Sequence, residues 1–480
     1  MPIVLDNRSD FTLENFQRVA WEEQSVAISD QAFRHMTASR GSFMHYIDDP
    51  EVVVYGVTSG YGQNAHLRFT PQERKENAST PPYAPGVSFG SLVPKRVSRG
   101  IVFARLTNFV SGYSAISPDL ALKVADMLKT TASIPDVPLQ GNGGAGEILP
   151  LSHLFTDLAA SFDLQEKDTL CLINGSPCAS ALIADAALVA TRRLDTLCDV
   201  FALAWEALKA PMGHLDPVLG ELWGNSDEID ALSALRKRLT GGDTENRRPY
   251  QAPVSFRIMP RYLGRTFGAL RRARESAERC LQAITDNPVY IMPDEEHPKG
   301  RALSTGGYQN VEAAPVLDEL AASYADLCQL AEKQTSKILD GAVSGLPNQL
   351  LASPDDKRYL GCSGMASVAF AEQARHWAQR TFLPPSESGG YGANDVASNA
   401  FPAWQKAMEA GKCLDQCLAV LAVIASQAFF ITNRKTPAGL DSILKTIRNK
   451  VAPLETQRLL GPDLQELSTL FTSNSEIHIQ

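Results

Sequence analysis

"GNGGAGEILPLSH", residues 141–153, places Gly141, Gly143, Gly144 and Gly146 within six residues, directly before an apolar segment of helical character. Glycine reaches positive φ without a Cβ penalty, so such a run marks backbone that turns sharply or that something approaches closely. Glu147 and Pro150 suit the first turn of the helix that follows, the carboxylate through the helix dipole and the proline through its fixed φ. No GK[ST] follows and no β-run leads in, so the loop is not a phosphate cradle. On its own it reads as a tight turn ending at a helix start.

Around it lies a chain of 480 residues, 44% hydrophobic and 21% charged, long enough for a large core and more than one lobe. The net charge of −9 and the shortness of the basic clusters, around Arg265 and at 271–274, argue against a nucleic-acid partner; these clusters read as solvated helix faces. The opening "MPIVLDNRSDFTLENF" has no basic, then apolar, leader pattern, which predicts a cytoplasmic protein. "CLAVLAVIASQAFFI" (417–431) is shorter than the ~20 residues of a membrane span and predicts a buried helix, with no membrane partner. Eight cysteines without a CxxC pair or matched histidine spacing indicate neither a metal centre nor a disulfide framework, but reduced, mostly buried thiols.

Residues 1–115 mix short apolar runs with turns, notably "VVVYGVTSGYG" (52–62), where a β-branched run breaks into glycines. Beyond them helical periodicity dominates. "SPDLALKVADMLKT" (117–130) opens on a Ser-Pro start signal, and long patterns follow at 177–209, 266–284, 312–340, 364–381 and 400–432. The expected fold is mainly α: a long central helix bundle over 116–480, with a smaller loop-rich N-terminal lobe over 1–115. The connections 238–255 and 380–398 are longer than bundle turns, a length that often goes with function.

Five stretches, in order, resemble the histidine and phenylalanine ammonia-lyases. "VYGVTSGYG" (54–62) is similar to that family's "YGVNTGFG", "LINGSP" (172–177) to "LLNGTQ", "PVSFRIMP" (253–260) to "PYSLRCQPQ" and "ITDNP" (284–288) to "VTDNP". The glycine-rich stretch itself resembles "GSVGASGDLAPLSH". The resemblance implies the ammonia-lyase/fumarase-like architecture and a homotetramer whose active sites are shared between chains. It also implies a prosthetic group, methylidene-imidazolone, made by cyclisation and dehydration of an Ala-Ser-Gly triplet. Here that triplet reads Gly144-Ala145-Gly146, and Ala145 has no hydroxyl to eliminate. No cofactor is therefore expected.

Other departures fall in the same chemistry. The family's tyrosine in "YSLR" is Val254, the histidine of "RSHAAGVG" aligns with Thr107, the aromatic of "GGNFH" with Gln309, and the glutamate of "ANQEDHVS" falls near Ala393. What survives implies a working pocket. Tyr55 matches the β-proton base, with Tyr308 the next candidate. Asn174, Arg257 and Asn287 match residues that hold the substrate's carboxylate and polar atoms, and an arginine fork suits a carboxylate directly. Tyr61 and Tyr391, with Tyr55 and Tyr308, would supply aromatic walls for a cation.

A lyase without the electrophile needs a substrate whose amine leaves unaided. A quaternary ammonium qualifies, since it departs as a neutral tertiary amine. The combination resembles the ergothionases, which eliminate trimethylamine from the betaine ergothioneine without the prosthetic group. The expected function is thus a carbon-nitrogen lyase acting on an amino-acid or betaine derivative. Two alternatives remain open at this point, a non-catalytic binding or regulatory homologue and an isomerase or cyclase on another activated substrate. A fumarase-type lyase is disfavoured by the absence of a "GSSxMPxKxN"-like signature.

Overall fold

The longest helices form where good helix formers, alanine, leucine and arginine, recur, because these residues lose least on entering a helix. In a computed structural model describing residues 1–243, 246–351, 360–389, 392–456 and 458–476, they span Pro177–Ala207, Met259–Gln282, Ala313–Leu339 and Ala400–Thr432. The fold is mainly α, as the periodicity predicts. Strands among the described residues are confined to three two-stranded pairs: Ile3–Leu5 parallel to Val26–Ile28, and two antiparallel pairs, Val289–Ile291 with Arg301–Leu303 and Pro385–Gly389 with Asn394–Val396.

The second long helix begins earlier than its pattern suggests, at Met259 rather than 266, because Pro260 falls in its first turn, where its missing N–H costs nothing. Conversely, the β-branched run Val52–Val54 forms no strand. The carbonyl of Val54 instead accepts the N–H groups of Val57, Thr58 and Ser59, which winds the segment into turns. The apolar stretch 417–431 belongs to a helix of 33 residues, so length alone would let it cross a membrane. Its burial within the protein identifies it as a core helix, and the same holds for the helix starting at Pro177.

The chain gathers into two units, each from three separate segments: Met1–Ala186, Ala273–Val316 and Thr381–Gln405 in the first, Ala187–Arg272, Leu317–Arg380 and Lys406–Gln480 in the second. They are not consecutive blocks; the boundary at residue 115 is a change of sequence character, from loop-rich to helical. In the first unit the helix Lys95–Val110 is buried on every side from Val97 onward. Phe11 and Phe16 pack on its Phe103, with ring centroids 4.9 and 6.3 Å apart. Its two interior arginines reach backbone carbonyls: Arg99 donates to those of Val19 and Leu128, and Arg105 to that of Cys171, in the candidate site described below.

The second unit is centred on a buried ion pair. Arg193 donates two parallel hydrogen bonds of 2.9 Å to Asp415, and its guanidinium lies over the Tyr324 ring at 5.1 Å. Gly411 makes room for it, since a Cβ there would fall 2.6 Å from Arg193 Nη1. Around this core the basic clusters do form solvated faces, with Arg265, Arg271 and Arg272 about half exposed and paired with Asp326, Asp227 and Glu319. All eight cysteines are free thiols, seven buried and Cys362 exposed.

Candidate active site

The glycine-rich turn of 141–147 is anchored by contacts on either side of its triplet. Gly146 adopts φ +66°, and the Tyr308 ring lies so close that a Cβ on Gly146 would meet its Cδ2 at 3.0 Å. Both properties require glycine at that position. The carbonyls of Gly143 and Gly144 accept from Ser386 Oγ at 3.0 Å and from the Ser398 N–H at 3.1 Å. Gln309 reaches the same strand end, donating through Nε2 to the Ala397 carbonyl at 3.3 Å. The triplet, Tyr308 and Gln309 therefore form one contiguous group.

Glu147 departs from its expected role. It precedes the helix Ile148–Ala160 but makes no cap bond to it. Its carboxylate instead accepts the N–H groups of Cys178 (2.6 Å) and Ala179 (2.8 Å), capping the start of the helix Pro177–Ala207. A carboxylate satisfies the unpaired donors of a helix N-terminus wherever that terminus arrives in space, and sequence proximity does not decide which. Burial pushes this carboxyl up to about 7, against the opposing pull of the two N–H bonds.

Asn287 closes the group from another side. Its Oδ1 accepts from Ser304 Oγ at 3.2 Å and from the Thr305 N–H at 2.9 Å, fixing the loop that carries Tyr308. Ser176 joins the same loop: its N–H donates to Thr285 Oγ1 at 3.0 Å and its hydroxyl to the Gly307 carbonyl at 3.3 Å. Beside it Asn174 has its carbonyl held by Arg105 Nη1 at 2.6 Å, while its side-chain amide has no hydrogen-bond partner among the described residues.

Beneath these loops lies a charged layer that sequence reasoning missed. Asp286 is wholly buried between Arg105 at 3.2 Å and Lys167 at 3.6 Å, and Asn108 Oδ1 accepts the N–H groups of Thr285 and Asp286. Arg105 also donates to the Cys171 carbonyl at 2.6 Å. Burial pushes the nearby Cys171 thiol up to about 12, which removes it as a nucleophile. The advance signal of this layer was Arg105, a charge within the apolar run "GIVFARLTNFV" (100–110); Lys167 sits among polar residues and gave none.

Tyr55 is half-buried in the turn 54–62, and its phenolic oxygen accepts the Gly62 N–H at 3.0 Å. That bond fixes where the phenolic oxygen sits in the turn. Tyr61, half exposed, lines a cavity of about 280 Å³ with Gly56, Val57, Tyr83, Lys167 and Leu170. Tyr83 was not anticipated. Thr107 is placed elsewhere: it is fully buried, and its hydroxyl donates to the Leu281 carbonyl at 2.8 Å, so the structure gives it a packing partner and no opening to a pocket. Tyr391 lies outside the described residues, and nearby Ala393 is exposed.

Arg257 belongs to the second unit, at the end of the short helix Val254–Arg257. Its Nε donates to the Ala252 carbonyl at 3.0 Å, and neither terminal nitrogen has a hydrogen-bond partner among the described residues. The fork is thus available to a ligand. Val254, where the family's tyrosine would stand, is 56% exposed.

Known proteins match this chain along nearly its whole length. Histidine ammonia-lyases of Halalkalibacterium halodurans and Anaeromyxobacter dehalogenans are 24% and 26% identical to it, covering 96% and 98% of the chain and 94% and 98% of their own lengths. Among solved structures, an ergothioneine-degrading ergothionase from Treponema denticola superimposes with a TM-score of 0.87 at 20% identity over the full length of both chains. A tyrosine aminomutase from Streptomyces globisporus does so with a TM-score of 0.84 at 21% identity, again over both full lengths. The family description "aromatic amino acid lyase" matches residues 11–161 and 159–449, and the chain belongs to that family.

Proposed function

We propose that this protein is a carbon-nitrogen lyase that eliminates a tertiary amine, trimethylamine, from a betaine such as ergothioneine, without a methylidene-imidazolone group. The observation that carries this reading is Ala145. It occupies the centre of a turn that keeps its glycine at positive φ and its contact with Tyr308, yet it has no hydroxyl to lose in forming the electrophile. An amine that must be activated has no activator here. A quaternary ammonium needs none, because it leaves as a neutral molecule and has no lone pair with which to attack an electrophile.

In the proposed step the Tyr55 phenolate takes the β-proton. The C–H electron pair becomes the Cα–Cβ double bond, the C–N bond breaks, and trimethylamine departs with the C–N bonding pair as its lone pair. The Gly62 N–H holds that oxygen in place in its turn. Arg257 would hold the substrate carboxylate in its fork and Asn174 would present its unpaired amide to substrate polar atoms, while the tyrosine faces attract the cation. Asn287, whose side-chain oxygen is already engaged, fits better as the group that shapes the Tyr308 loop. Sites completed by loops of neighbouring chains in a homotetramer agree with the large apolar side chains left exposed, among them Val254, Phe89, Val311 and Phe382.

Incubation of purified protein with ergothioneine and hercynine, followed by assay of free trimethylamine, tests the activity. Release from either is expected, with an intact mass equal to that of the unmodified chain. Binding of these betaines without release would favour a non-catalytic homologue. A mass lower by two waters would show that the prosthetic group forms after all.

A further inference from the structure

The Arg257 guanidinium is oriented through one buried residue. Ala252, 2% exposed, accepts the Arg257 Nε–H on its carbonyl at 3.0 Å and donates its own N–H to His214 Nε2 at 3.3 Å. Both polar groups of a single residue are therefore engaged, one by the guanidinium and the other by an imidazole. His214 comes from the short turn Met212–Leu215, 38 residues earlier in the chain. Its ring stands edge-on to Trp205, with centroids 6.4 Å apart and planes at 84°, and Trp205 packs in turn on Phe256, the residue before Arg257.

An Nε2 that accepts a hydrogen bond carries no proton, so the ring proton sits on Nδ1. Burial, with the Arg257 charge as a second cause, holds His214 below the ordinary histidine value of 6.5, which keeps the ring neutral and able to accept at pH 7. Other charged groups around this turn have partners of their own. Arg236 donates to the Leu215 carbonyl, and Arg247 to the Ala210 carbonyl and Glu206.

We propose that His214 is a positioning residue for the Arg257 fork: by fixing Ala252 it fixes the Nε edge of the guanidinium and leaves the two terminal nitrogens aimed together at a substrate carboxylate. The inference rests on the carboxylate role proposed for Arg257. It assigns to a histidine outside every motif of the sequence a share in carboxylate selectivity. A histidine that merely filled the space beside Trp205 would affect stability but not the choice between a carboxylate and its neutral isostere.

The test is titration calorimetry of the full-length protein with 3-(imidazol-4-yl)propanoate, which cannot eliminate, and with its carboxamide. The ratio of the two dissociation constants isolates the carboxylate. In the wild type the acid should bind more tightly than the amide, and Arg257→Lys should erode that preference. His214→Phe keeps an aromatic ring against Trp205 but removes the acceptor, and should cut the preference about tenfold, the size of one hydrogen bond to a charged group. His214→Gln restores an acceptor at similar reach and should recover most of it. If Arg257→Lys lowers the ratio and His214→Phe leaves it unchanged, the positioning role is overturned and the carboxylate role stands. If the wild type shows no preference, or Arg257→Lys does not alter it, the carboxylate role falls and the inference with it.

Discussion

Under the proposed function Tyr55 and Ala145 carry opposite messages about the same chemistry, a base retained and an activator lost. Removing the phenolic oxygen isolates the first: Tyr55→Phe keeps the ring in its turn, so betaine binding should persist while amine release falls by ~10² to 10⁴, the usual contribution of a positioned base. Turnover at the wild-type rate would move the base elsewhere, with Tyr308, packed against Gly146, next in line. The residues this proposal rests on were legible in the sequence because a reactive group identifies itself by type: a tyrosine in a glycine turn, an arginine in "PVSFRIMP", a triplet without serine. Thr107 was misjudged for the converse reason. A hydroxyl can serve a ligand or a carbonyl equally well, and only packing against Leu281 decides.

Helix termini and buried charges set the next level of organisation, and Glu147 joins both. Its carboxyl titrates near 7 in the folded protein against an ordinary 4.5, so between those values the folded state holds a proton that the unfolded chain has released. Stability is therefore expected to fall as pH rises from 4.5 to about 7, by up to ~3 kcal/mol from this group. Urea unfolding across that range should show the slope in the wild type and lose it in Glu147→Gln, whatever the mutant's absolute stability. In the second unit, Asp415→Ala strands the Arg193 guanidinium in an apolar interior and should cost ~3 to 5 kcal/mol in the same measurement, the cost of an uncompensated buried charge. A loss under 1 kcal/mol would mean that water reaches the site.

At the scale of the whole molecule, a tetramer is the expected state at micromolar concentration, measured by light scattering; a stable monomer would leave the exposed Phe89, Val311 and Phe382 unexplained and remove the basis for sites shared between chains. The sequence by itself determined the helical architecture, because alanine- and leucine-rich periodicity over thirty or so residues admits little else. It also determined the family and the missing hydroxyl at 145, both of which are properties of residue identity and order. Only the tertiary structure decided which groups meet: Glu147 with the helix start at Cys178, Asp286 with Arg105 and Lys167, His214 with Ala252 and so with Arg257. Those partners lie from 5 to 181 residues apart in the chain, in no readable period; they are joined because a buried donor or charge must find a partner, and packing alone determines which one is within reach.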